Sequence, residues 1–204
     1  MTATGVPTGN TYDKYASQNP VERRLMDGFF AALDASLPAR APDRILEVGV
    51  GEGEVAARVA ERWPEASMSG VDLPDPALAA HWGERDFQPL FADVAHLPFP
   101  DGCFDLVLAI EVLEHVDFPE SALAELHRVA RCDVVVSVPR EPIWSVANLA
   151  RGKYVGDLGN TPGHINRWSR KAFADLVGRR FDVRSVRSPF PWTVVAAAVR
   201  NQAR

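Results

Sequence analysis

The run Arg44 to Gly53, R-I-L-E-V-G-V-G-E-G, constrains this chain more than any other ten residues. Ile45, Leu46 and Val48 form the short apolar run of a buried parallel strand, and Val55, Ala56, Val59 and Ala60 then recur at helical spacing. Between them, Gly49, Gly51 and Gly53 permit backbone conformations and close approaches that a Cβ would block. The helix that follows offers N–H groups and positive potential to an anion. A dinucleotide fingerprint needs G-x-G-x-x-G, but here the third glycine comes one residue early and Glu54 stands in its place. Taken alone, the triplet suits a bare strand-to-helix turn as well as a nucleoside site, so the rest of the chain has to decide.

A length of 204 residues suits one compact domain. A hydrophobic content of 47% with 24% charged residues is ordinary for a globular protein and argues against disorder. No apolar run approaches the roughly 18 residues of a membrane span. The first ten residues lack the basic-then-apolar order of a secretory signal, so a cytoplasmic location is expected. Cys103 and Cys132, isolated and far apart, fit a reducing compartment and make neither a disulfide framework nor a metal cluster. No metal is therefore expected. The net charge of −5 disfavours a nucleic-acid binder, but the charge is lopsided. Residues 1–139 hold 10 Lys+Arg against 23 Asp+Glu, and residues 140–204 hold 12 against 4, which suggests a basic substrate lobe.

Residues 1–40 read as a polar tail followed by a helix from Pro20, with Val21, Leu25, Phe29 and Leu33 every four residues. Residues 41–138 alternate strands and helices. Ser67–Val71 is a strand ending at Asp72, a short strand fits near Leu90–Ala92 before Asp93, and Phe104–Ile110 is apolar enough to be covered on both faces. A helix capped by Asp117 follows, with Pro119 in its first turn, and then a strand at Val134–Val138. Residues 139–168 look long and irregular. Ser169 starts a last helix, and the strands Phe181–Val186 and Thr193–Val199 are joined by a link too short for a parallel crossover, so they should pair antiparallel.

The glycine loop, Asp72, Asp93 and Ile110–His115 all fall at strand C-termini, where open α/β sheets bind ligands. A carboxylate after the second strand can accept from both hydroxyls of a ribose, and one after the third from an adenine amine. With these residues in this order the chain resembles the class I S-adenosylmethionine-dependent methyltransferases of the small-molecule, type 11-like group. The resemblance runs from about Tyr12 to Val199, through E-V-G-V-G-E-G, V-D-L, A-D-V and F-P-D-G-C-F-D-L-V-L-A-I-E-V-L-E-H-V. It implies a doubly wound α/β fold with a seven-stranded, mostly parallel sheet containing one antiparallel strand. It also implies S-adenosyl-L-methionine as cofactor. Glu47 would support the loop and cofactor, Gly49, Gly51 and Gly53 would shape the methionine side, and Asp72 with Leu73 would hold the ribose. Asp93 and Val94 would frame adenine, Ile110 and Glu111 would flank the sulfonium, and Tyr12 and Tyr15 would belong to an N-terminal lid with Lys14.

An oxygen or amine acceptor must lose a proton, and His164 in the 139–168 segment is the preferred base. His115 is the second candidate, although a structural role suits it better. The segment after Ile110 carries no Asn/Asp-Pro-Pro-aromatic motif, which disfavours base amines and leaves a small molecule as the acceptor. Arg140, Arg151, Lys153 and Arg167 would suit an acidic or phosphate-bearing one. O-methylation stands slightly ahead of N- or C-methylation. A nicotinamide-dependent oxidoreductase and a cofactor-binding protein without transfer activity are the competing readings.

Overall fold

The computed structural model describes residues 19–83, 87–152 and 154–200, so Tyr12, Lys14, Tyr15 and Lys153 lie outside the described residues. Seven strands form one sheet: β1 (Arg44–Val48), β2 (Ser67–Asp72), β3 (Gln88–Phe91), β4 (Phe104–Ile110), β5 (Ala130–Pro139), β6 (Phe181–Arg187) and β7 (Trp192–Val199). Their spatial order is β3-β2-β1-β4-β5-β7-β6. β1 pairs in parallel with both β2 and β4, so the order reverses there and leaves a crevice beyond the strand C-termini. β7 runs antiparallel to β5 and to β6, as the short link between the last two strands requires. That insertion separates the sheet from a six-strand parallel dinucleotide domain.

Period-two alternation splits the buried strand residues between the two faces. Ile45, Leu106, Leu108 and Ile110 meet α1 (Pro20–Asp34), α2 (Glu54–Arg62) and α3 (Pro76–Trp82), together with Phe29, Leu33, Val59 and Trp82. Leu46, Val48, Val107 and Ala109 meet α4 (Pro119–Val129) and α6 (Arg170–Gly178), with Leu126, Phe173 and Val177. Burial on both faces is why β1 and β4 read as nearly unbroken apolar runs. Asn19 caps α1 by accepting from the Val21 N–H at 2.9 Å, and Ser169 caps α6 by accepting from the Ala172 N–H at 3.2 Å.

The structure corrects three sequence expectations and adds one helix, α3. Phe118, not Asp117, occupies the cap position of α4 and makes no side-chain cap bond, because Pro119 at the first helical position already fixes the entry. β3 ends at Phe91, one residue before the sequence boundary. The segment 139–168 holds a helix, α5 (Ile143–Ala150), and 3-10 turns occupy Leu113–His115 and Val155–Asp157. α3 was not anticipated. Among the described residues no helix is long and apolar enough to cross a membrane.

Candidate active site

The loop after β1 is held from two sides. The N–H groups of Gly49 and Val50 both donate to the Val71 carbonyl, at 2.7 and 3.0 Å, which ties the loop to the end of β2. Gly49, Gly51 and Gly53 have φ of +71°, +51° and +82°, where a side chain is strained. Their surroundings differ. A Cβ on Gly49 would lie 2.2 Å from Cγ2 of Val112, so this glycine serves close packing, whereas a Cβ on Gly51 would meet no protein atom within 4 Å. Gly51 therefore faces open space in the crevice.

Asp72, at the end of β2, accepts from the Gly51 N–H at 2.7 Å and from the Leu73 N–H at 2.8 Å, one bond to each oxygen. Burial raises its carboxyl above the ordinary aspartate range, and those two N–H bonds pull it back. Each oxygen keeps a second lone pair that a hydroxyl donor can use. Trp82 completes the clamp by donating from Nε1 to the Gly51 carbonyl at 2.8 Å. Beside them Glu47 on β1 is only 2% exposed, and its Oε2 has no hydrogen-bond partner among the described residues. Burial first, and then the Asp72 charge, raises the Glu47 carboxyl well above the glutamate range, while the Ala56 N–H lowers it.

Asp93 accepts from the Ala95 N–H at 2.8 Å in a turn that sets the buried Val94 into the crevice wall. Ile110 ends β4, and Glu111 follows with φ of +58°, a conformation side chains rarely adopt. Glu47, Gly49, Gly51, Asp72, Leu73, Asp93, Val94, Ile110 and Glu111 line one cavity of about 790 Å³, whereas Gly53 and Trp82 are not among its lining residues. An orphaned buried carboxylate oxygen, a doubly anchored carboxylate with lone pairs to spare and open space over Gly51 fit S-adenosylmethionine, which carries an ammonium and a ribose diol.

The far end of the same cavity is formed by Trp144 of α5, His115, His164 and Trp192 of β7. The two histidines, 49 positions apart, come together with ring centroids 4.8 Å apart and planes at 77°, and Trp144 lies 5.9 Å from His164. Trp144 is held in turn, donating from Nε1 to Thr161 Oγ1 at 2.9 Å. Of the cations expected in a basic lobe, only Arg151 lines the cavity among the described residues. Arg140 and Arg167 do not: Arg140, just past the C-terminal end of β5, forms a backbone bridge with Trp168, and Arg167 is exposed to solvent. Sequence reasoning missed Trp82 and Val112, whose roles depend on contacts across the fold, and Asn148, which donates to the Gly159 carbonyl at 2.9 Å. It also missed Trp192 as a wall residue, because it placed Trp192 in the link before the last strand, whereas Trp192 is the first residue of β7.

Comparison with known proteins gives the same answer as the geometry. Residues 46–137 match the model of a methyltransferase domain. A malonyl-(acyl-carrier protein) O-methyltransferase of Geobacter sulfurreducens is 36% identical over 127 residues, covering 60% of this chain and 45% of the relative. A demethylmenaquinone methyltransferase of Thermus thermophilus is 40% identical over 104 residues, covering 48% and 46%. The chain thus spans less than half the length of these curated relatives. A Thermotoga maritima structure, described as a possible histamine N-methyltransferase, shares the fold with a TM-score of 0.66 at 19% identity, covering 89% of this chain and 96% of that one. Loop, carboxylates, sheet order and relatives agree in likening this chain to the class I S-adenosylmethionine-dependent methyltransferases, the methyltransferase-domain match covering residues 46–137.

Proposed function

We propose that this chain transfers the methyl group of S-adenosylmethionine to a small molecule, at oxygen ahead of nitrogen or carbon. The observation that carries this reading is the single continuous cavity running from Glu47, Gly51 and Asp72 to the corner of Trp144, His115 and His164. When bound, the cofactor supplies an electrophilic methyl carbon on a sulfonium. The protein has to align and to exclude water. Glu47 and Asp72 would fix the two polar ends of the donor, and Trp144 and Trp192 would hold the acceptor against it.

The lining bears on the acceptor. Val21, Phe118 and Phe190 stand at the cavity with 65%, 73% and 49% of their surface exposed, and a largely apolar acceptor would cover them. Carboxylates outnumber cations around the cavity, so support for an acidic or phosphate-bearing acceptor is confined to Arg151. Oxygen as the target is supported by the O-methyltransferase named above and by the histidine corner, where an acceptor proton can be handled.

A panel of hydroxylated and amine-bearing small molecules, scored by S-adenosylhomocysteine release, tests the reading. Release with at least one acceptor, lost in Asp72→Ala, is expected. Binding of S-adenosylhomocysteine without release across the panel would favour a cofactor-binding protein.

A further inference from the structure

Resting on that methyl-transfer reading, we propose that Glu114, His115 and His164 hold one divalent transition-metal cation at the acceptor end of the cavity, where it would bind and activate an acceptor hydroxyl. One donor atom from each lies within 4.8 Å of the other two. Ligands about 2.0–2.2 Å from one ion stand roughly 3–4 Å apart, so binding would draw the three inward by about an ångström.

The histidine chemistry suits a ligand. Nδ1 of His115 lies 2.9 Å from the Gly163 carbonyl. A carbonyl oxygen only accepts, so the proton of that contact sits on Nδ1 and Nε2 is the atom that would bind an ion. A backbone carbonyl on the far nitrogen is the usual outer support of a metal-bound imidazole.

The supporting backbone is rigid. The N–H groups of Ile165 and Asn166 both donate to the Glu114 carbonyl, at 2.9 and 3.0 Å. Asn166 Nδ2 donates to the carbonyls of Leu113 and Val116, at 3.2 and 2.6 Å. These bonds lock the Leu113–His115 turn to the loop carrying His164, so donors distant in sequence share one frame. Glu114 is only 1% exposed, and at that depth the attraction between a carboxylate and a cation is weakly screened.

Two imidazoles and one carboxylate select zinc, manganese, iron, cobalt or nickel over magnesium, which prefers oxygen ligands. Three protein ligands leave positions open for the acceptor. A hydroxyl bound there would be acidified and lose its proton to solvent. The oxygen would then take the methyl carbon as the carbon–sulfur bond breaks, with sulfur keeping the electron pair of the neutral thioether. In this arrangement the histidines act through the ion, and His164 does not serve as a base.

The test is calorimetric titration of untagged, chelator-stripped protein with zinc chloride and, separately, magnesium chloride. Wild type should bind one zinc per chain and little magnesium. His115→Ala and His164→Ala should each weaken zinc by about tenfold or more, while His96→Ala, at an exposed loop position, should not. The melting shift given by S-adenosylhomocysteine, measured on the same samples, reports folding and the cofactor site separately. Zinc affinity unchanged in both histidine variants, or no saturable zinc binding by wild type, would overturn the proposal even if the shift is normal. Zinc binding without any shift would instead count against the cofactor reading and leave the ion site standing.

Discussion

At single residues, the buried carboxylates make the ligand-free protein sensitive to pH. The Glu47 carboxyl titrates well above its unfolded value of about 4.3, because burial and then Asp72 disfavour its charge. The folded protein therefore keeps a proton that the unfolded chain has released, and stability falls as pH climbs from that value to the folded one. Asp72, also raised, adds in the same direction. Glu47→Gln should flatten the fall in melting temperature as pH rises above the unfolded value and weaken S-adenosylhomocysteine binding; parallel melting curves would contradict this account of Glu47. Gly51→Ala separates strain from ligand contact. The left-handed φ costs about 1–2 kcal/mol with a side chain, yet the new methyl meets no protein atom within 4 Å. The variant should fold with a modestly lower melting temperature but bind S-adenosylhomocysteine about tenfold more weakly, equivalent to about 1.4 kcal/mol. A calorimetric affinity equal to wild type would mean that the open space over Gly51 is not the donor site.

At the level of elements, the acceptor corner depends on how the Leu113–His115 turn is joined to the loop before α6. Asn166→Ala removes two donated bonds worth about 0.5–1.5 kcal/mol each. It should lower kcat while leaving S-adenosylhomocysteine affinity at the wild-type value, and a loss of affinity alone would place the defect elsewhere. What could be read from the sequence divides along the same line. The core strands were legible because cover on both faces makes them apolar throughout, and the antiparallel pair because its link is short. α5 was not legible, since its amphipathic pattern is inverted. Ser145 and Asn148 are buried while Val146 is 60% exposed. The buried positions are polar because they hold bonds, Ser145 Oγ to Glu141 at 2.8 Å and Asn148 to Gly159, which apolar periodicity cannot register. The meeting of Glu114, His115 and His164 was equally hidden, because it arises from hydrogen bonds between segments some 50 positions apart.

Over the whole molecule, the charge asymmetry that suggested a basic substrate lobe has a structural outlet. Arg179 pairs with Glu120 and Arg184 with Asp133, so cations late in the chain offset carboxylates early in it, away from the cavity. Both arginines are largely exposed, and such pairs contribute about 0–1 kcal/mol. Arg179→Ala and Arg184→Ala should each lower the melting temperature by no more than about 4 °C and leave cofactor affinity unchanged. A large loss of affinity in either would mean that the late cations act on the site after all. The end proposed for the cofactor was the most legible part of the candidate site, because its residues follow one another in order at the C-termini of β1, β2, β3 and β4, whereas the end proposed for the acceptor is assembled from α5, β7 and two loops. The central claim is that the crevice beyond β1 and β2 binds the methyl donor through Asp72. Calorimetric titration of S-adenosylhomocysteine into wild type and Asp72→Asn tests it most directly. Saturable binding of one molecule per chain, weakened at least about tenfold (roughly 1.4 kcal/mol) in the variant, is predicted; no binding by wild type, or equal affinity in both proteins, would contradict it.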